Sequence, residues 1–245
     1  MTDNNDNDFT SAPAAPVHRS VRSFVVRAGR ATVAQQRALI ELWPLYGVEY
    51  AAALLDLDQV FGRAAPRMIE IGFGAGEALL EFARSHPDVD CIGIEVHRPG
   101  VGHLLLDVHT AGLKNLRIIC HDAVEVLQHQ LPAGSLALAH IFFADPWPKK
   151  RHHKRRLIQP PFVEILARVL QSQGTLRLAT DWEPYVHHIR SVIDASSSFD
   201  NVAGAAGFVE RPSVRPLTRF ERRGHRLGHG VWDLAYVRRA FVTQL

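Results

Sequence analysis

Pro66-Arg67-Met68-Ile69-Glu70-Ile71-Gly72-Phe73-Gly74-Ala75-Gly76-Glu77 decides how the chain reads. A short apolar run bounded by proline and glycine has the length of a buried strand, and helical spacing of apolar residues begins only after Gly76. The three glycines permit tight, left-handed turns. The order is therefore strand, glycine loop, helix. Further apolar runs at 91–94, 116–120, 137–143 and 175–179 repeat it, with helices expected at about 77–86, through 104–106, at 123–130 and at 161–170. Strands alternating with helices at these spacings predict an α/β fold, a Rossmann-like, mostly parallel sheet covered on both faces. Before this unit, 32–43 reads as a helix with Thr32 as N-cap and Trp43-Pro44 as its end. After it, strand-like runs stand around 199–209 and 231–242.

In a parallel α/β sheet, ligands sit outside the carboxyl ends of the strands. Glu70, Glu95, Asp122, Asp145 and Asp181 all fall at or just after expected strand ends, so five carboxylates line one rim. Wet strand ends tolerate acids, which accounts for any one of these but poorly for five placed so regularly. The loop Gly72, Gly74, Gly76 has the spacing G-x-G-x-G, and Glu77 stands where a dinucleotide fingerprint carries its third glycine. Glu70, two residues before the loop, would repel a pyrophosphate and attract the sulfonium and ammonium groups of S-adenosylmethionine. Glu95 lies 19 residues past Gly76, the place of an acid that accepts from ribose hydroxyls. Asp122 would accept from the adenine amino group. The composite favours a methyl donor over NAD, with a dehydrogenase as a rival reading.

A second stretch, Ile141-Phe142-Phe143-Ala144-Asp145-Pro146-Trp147-Pro148, runs directly into Lys149-Lys150-Arg151-His152-His153-Lys154-Arg155-Arg156. It sets one carboxylate beside six Lys/Arg within eight residues. Each proline fixes its own φ and biases the residue before it away from helix, so Asp145 and Trp147 are expected to be extended. Trp147 has two readings, stacking on a base or packing under the loop. Six arginines lie in 211–226, yet 28 basic residues against 25 acidic give a net charge of only +3. No whole-molecule field results, but two local patches can face phosphate. Residues 17–30 alternate arginines with apolar residues and read as an arm on the domain or on RNA. Residues 1–16 lack periodicity and are expected to be disordered. Cys91 and Cys120, each in an apolar run, read as free thiols in a reducing cytoplasm. No window has the length of a membrane span. The fourteen histidines include His152-His153, His187-His188, His225 and His229 but show no zinc spacing with cysteine, so no metal is expected.

With the glycine loop, the carboxylates and the Asp145-Pro146-Trp147-Pro148 basic motif in hand, residues from about 20 to 240 resemble the bacterial tRNA (guanine-N(7)-)-methyltransferase family. The run Arg215-Pro216-Leu217-Thr218-Arg219-Phe220-Glu221-Arg222-Arg223-Gly224, continuing to Val231-Trp232-Asp233-Leu234, resembles that family's other signature. The resemblance implies a seven-stranded class I methyltransferase fold and methylation of a guanine in the tRNA variable loop. It implies that Glu70, Glu95, Asp122 and Asp145 hold the donor, with Asp145 also catalytic, and that Lys149, Asp181, Thr218, Arg219, Phe220 and Glu221 contact the substrate. Ala144 departs from the proline that often precedes the acid, and Arg219 from the usual lysine, a change that keeps the charge and alters the donor geometry. The expected organisation is a tail at 1–16, an arm and helix at 17–60 and a methyltransferase domain at 61–245. A cytoplasmic monomer or homodimer acting on tRNA is expected. The rivals are a small-molecule methyltransferase of the same fold and a non-catalytic RNA-binding protein.

Overall fold

The computed structural model describes residues 23–24, 30–212, 215, 221 and 230–240. The tail at 1–16, Arg19, Arg22, Arg27, Thr218, Arg219, Phe220, His225 and His229 lie outside the described residues.

Thr32 starts α1 (Val33–Glu41) through a reciprocal capping box. Its hydroxyl accepts from the Gln35 N–H at 3.2 Å, and the Gln35 side chain accepts from the Thr32 N–H at 2.8 Å. Trp43-Pro44 does not end helical structure as expected. Pro44 falls in the first turn of α2 (Trp43–Tyr46), where its missing N–H leaves no bond unmade. The elements that follow are α3 (Leu57–Phe61), β1 (Arg67–Ile71), α4 (Glu77–Ser85), β2 (Asp90–Ile94), α5 (Arg98–Thr110) and β3 (Leu116–Ile119). The helix expected at 123–130 is split into α6 (Ala123–Glu125) and a π-helical turn, Val126–Gln130. Next come β4 (Leu136–Phe142), a 3₁₀ turn at Lys150–Arg155, α7 (Pro160–Val169), β5 (Leu170–Thr180), α8 (Glu183–Ile193), β6 (Phe199–Asn201) and β7 (Trp232–Arg238).

The seven strands form one sheet in the order β3-β2-β1-β4-β5-β7-β6. Neighbours from β3 to β5 pair in parallel, while β7 runs antiparallel between β5 and β6. β5 starts five residues before its expected run at 175–179, because Leu170 pairs with Leu136 ahead of a register shift. Gln171, Ser172, Gln173 and Gly174 in that shift carry no apolar signal, which hid it from the sequence.

Side chains alternate between two cores, as strand geometry requires. Met68, Cys91, Leu116 and Ile118 pack with Phe73, Leu79, Phe82, Val101 and Leu104 from the glycine loop, α4 and α5. Their sequence neighbours Ile69, Ile92 and Ile119 enter the larger core with Phe162, Leu166, Tyr185 and Ile189 of α7 and α8. Cys91 is buried, whereas Cys120 is only half-buried. No described helix is long and apolar enough to cross a membrane. The chain moves outward from β1 through β2 to β3, then crosses back to β4 and β5. The strand order therefore reverses between β1 and β4, and the crevice above their carboxyl ends is the place for a ligand.

Candidate active site

Gly72, Gly74 and Gly76 all have positive φ, at 72°, 60° and 85°, so the turn from β1 into α4 depends on residues without a Cβ. α5 packs down onto this loop. A Cβ at Gly100 would run into the Gly74 carbonyl oxygen. Glu95, just past β2, ties the two together. One of its oxygens accepts from Gly74 N–H at 2.9 Å, and the other from Val96 and His97 N–H at 2.7 and 2.9 Å. Each carboxylate oxygen has two lone-pair directions, so the oxygen on Gly74 retains capacity for a ribose hydroxyl. Asp122 caps α6 by accepting from Val124 N–H at 2.9 Å, and so sits at the mouth of β3.

Glu70 differs from the other acids of the rim. It lies within β1 rather than past it, is 3% exposed, and stands between Gly93 and His140 in the parallel register. Its Oε2 has no hydrogen-bond partner among the described residues. Burial pushes its pKa up to about 8, against the pull of Arg215. A buried carboxyl short of partners beside a glycine cradle suits a cationic ligand group, and the residues present thus fit a sulfonium donor and not a pyrophosphate. His140, 5% exposed, is driven to neutrality, with its pKa lowered to about 3 by burial and then by Arg177, Arg215 and His86.

Asp145 projects from the loop after β4. It is exposed, and no hydrogen bond or ion pair holds its carboxylate among the described residues. Asp181 follows β5, the adjacent strand, and is half-buried. The rim thus brings together Glu70, Glu95, Asp122, Asp145 and Asp181, since β1 to β5 are parallel. Trp147 is not extended as the prolines suggested. Its φ is 45°, and Phe143 before the acid is at 55°. Trp147 is half-buried, with its indole N–H donated to the Ser23 carbonyl at 3.0 Å and the Arg155 guanidinium 4.4 Å from its ring centroid.

The basic run is not a uniform patch. Lys149, Lys150, Arg151 and Lys154 are exposed, but Arg156 is 4% exposed and structural. Its Nε donates to the Pro146 carbonyl at 2.9 Å, and its guanidinium lies over the Tyr185 ring at 5.2 Å. Glu221 is 1% exposed, its carboxylate clamped by Arg215 at 2.7 and 3.1 Å. Arg215 also binds Asp233 of β7 at 2.9 Å and lies over the Phe142 and Phe143 rings at 5.5 and 5.4 Å. Sequence reasoning assigned no role to Arg215, Asp233 or His140. Arg215 and Asp233 stand inside the quoted C-terminal signature, and the one available signal was a charge fixed amid apolar neighbours. No group of His, Cys, Asp and Glu that could hold a metal occurs among the described residues.

Residues 64–234 match a family model described as "Putative methyltransferase". Among solved structures, the 16S rRNA methyltransferase KamB superposes with a TM-score of 0.55 at 15% identity, covering 76% of this chain and 93% of KamB. That likeness concerns the fold. Among curated relatives, the tRNA (guanine-N(7)-)-methyltransferase of Leifsonia xyli subsp. xyli is 57% identical over 222 residues, which is 91% of this chain and 97% of that protein. The enzyme of the same name from Alcanivorax borkumensis is 54% identical over 224 residues, 91% of this chain and 94% of its own length. With more than half of the residues identical over nine-tenths of the chain, the chain belongs to the tRNA (guanine-N(7)-)-methyltransferase family.

Proposed function

We propose that the protein transfers a methyl group from S-adenosylmethionine to N7 of a guanine in tRNA, at the variable loop. The observation that carries this reading is the 57% identity, over nine-tenths of the chain, to a relative named for that reaction. Geometry supports it through an exposed Asp145, unpaired among the described residues, set at the switch point between the donor-side acids and four exposed cations.

The donor supplies an electrophilic methyl group on a positively charged sulfur. Gly72, Gly74 and Gly76 give it a backbone cradle, Glu70 meets its positive charge, Glu95 its ribose and Asp122 its adenine. Guanine N7 carries a lone pair and no proton, so no general base is needed at the attacking atom. Asp145 instead accepts from guanine N–H groups, orients the ring, and stabilises the positive charge that the ring gains on methylation. Asp181, at the neighbouring strand tip, shares in that positioning. Lys149, Lys150, Arg151 and Lys154 meet phosphates. Acting on tRNA, the protein works in the cytoplasm, as a monomer or a homodimer.

The test is mass spectrometry of nucleosides from unmodified tRNA transcripts incubated with protein and S-adenosylmethionine. A 7-methylguanosine signal that disappears when the variable-loop guanine is replaced is expected. Donor binding with no methylated nucleoside would overturn the assignment and favour a small-molecule acceptor.

A further inference from the structure

Trp147 joins three parts of the molecule. Its indole N–H holds the carbonyl of Ser23, a residue 124 positions earlier, at 3.0 Å. Its ring face carries the Arg155 guanidinium at 4.4 Å, and His152 meets its edge at 5.7 Å and 89°. The main chain at Trp147 is left-handed, with φ at 45°, a conformation that costs a residue with a Cβ on the order of 1–2 kcal/mol. Something must offset that cost, and these contacts do. Just upstream, Arg156 pins the Pro146 carbonyl at 2.9 Å from a buried position. The loop that presents Asp145 is therefore bracketed by the basic turn that follows it and, through one indole, by the chain at Ser23.

We infer that Trp147 is a positioning residue that assembles a composite surface for the phosphodiester backbone of the RNA substrate. It does so by setting Arg155 and His152 in register with the Asp145 tip and by fixing the chain at Ser23 beside them. The inference rests on the reading of the protein as a tRNA methyltransferase. It takes the packing reading of Trp147 rather than the stacking one: a guanidinium lies over one face of the ring and the indole N–H is held by Ser23. A guanidinium held over an indole keeps a fixed plane and loses less rotamer freedom on meeting phosphate than an exposed lysine does. The exposed Lys149, Lys150 and Lys154 supply attraction without geometry, whereas Trp147 and Arg155 supply a register.

The test compares Trp147→Phe, which keeps a ring under Arg155 but loses the N–H, with Trp147→Leu, which loses both. Trp147→Leu is expected to raise KM for tRNA roughly tenfold with a much smaller change in kcat. S-adenosylmethionine affinity should hold, and the slope of log affinity for tRNA against log salt should flatten by about one phosphate contact. Trp147→Phe should fall between Trp147→Leu and the unaltered protein. An unchanged KM in both variants, or a loss of kcat at unchanged KM, would overturn the inference, the second result pointing to contact with the target base. Should Trp147→Leu fail to fold, Trp147→Phe and Arg155→Lys, which keeps the charge without the planar stack, decide on the same KM criterion. Absence of methylation by the unaltered protein would sink the reaction assigned above; an active protein with indifferent Trp147 variants sinks only the role of Trp147.

Discussion

On the proposed reading, Glu70 serves a ligand at the expense of the empty protein. Its ordinary carboxyl pKa of 4.5 is raised in the fold to about 8 because burial disfavours the anion. The proton is thus held in the donor-free protein near neutrality, and a cationic donor, which prefers the anion, must displace it. Donor affinity should therefore weaken as pH falls below 8, by up to roughly tenfold per pH unit. Titration calorimetry at pH 6.5 and 8.5 on the unaltered protein and on Glu70→Gln separates this from titration of the donor's own amino group, since only the former effect vanishes in the variant. Parallel pH dependences would refute the role. Stability runs the other way. A folded pKa above the unfolded value means that the protonated carboxyl contributes fully below about pH 4.5, and that this contribution is lost as pH rises through 8. Glu70→Gln should accordingly raise the Tm of the donor-free protein at pH 8.5 by a few degrees or more, and much less at pH 4.5. The position of Glu70 on the rim was legible in the sequence. Its burial within β1, which gives it these opposed effects, was not, because burial depends on His140 and Gly93 from neighbouring strands.

At the scale of elements, the strand-loop-helix unit is held by a close approach that glycines on both sides make possible. α5 meets the glycine loop at Gly100, where an added methyl group would strike the Gly74 carbonyl, a backbone atom with no side chain to move aside. Gly100→Ala should therefore displace the loop, weaken S-adenosylmethionine binding at least tenfold and cost about 1–3 kcal/mol in stability. Denaturant melts and donor titrations of the same preparation check both effects; normal donor affinity would show that the loop tolerates the shift. Gly72, Gly74 and Gly76 announced themselves by spacing, but Gly100 did not, since its constraint comes from a loop 26 residues away in the chain. The same limit explains Trp147. The bias that a following proline imposes is local, whereas the left-handed conformation observed is sustained by Ser23 and Arg155, which local rules do not see. The alternation of strands and helices was legible because each element carries its own periodicity. The start of β5 was not, because its polar residues pair only by register with β4.

Across the whole molecule, charge divides into a surface part that meets solvent and a buried part that holds the chain, and sequence alone counts both alike. The exposed part predicts salt dependence: replacing Lys149, Lys150 and Arg151 by alanine should reduce the slope of log tRNA affinity against log salt by about 2–3, at unchanged Tm. Arg156→Ala should instead lower Tm, because its guanidinium is buried against the Pro146 carbonyl and Tyr185. The buried part gathers where β7 returns between β5 and β6. There Arg215 joins Glu221 and Asp233, all within 6% exposure, and covers Phe142 and Phe143, the residues that lead to Asp145. Burial raises the pKa of Asp233, with Arg215 opposing, so the Asp233 anion depends on the guanidinium. The family resemblance implies a substrate contact for Glu221; its burial against Arg215 gives it a structural duty that a contact residue at the surface would not have. Removing Glu221 leaves Arg215 with Asp233 as its carboxylate partner and strands buried N–H donors that Glu221 had satisfied, at a cost of about 1–3 kcal/mol. Glu221→Ala should then lose methylation together with a large fall in Tm, and the fall should persist at 0.5 M salt, because buried pairs are screened far less than exposed ones. A Glu221→Ala protein with normal Tm and impaired tRNA binding would restrict Glu221 to the substrate and detach this network from the placement of Asp145.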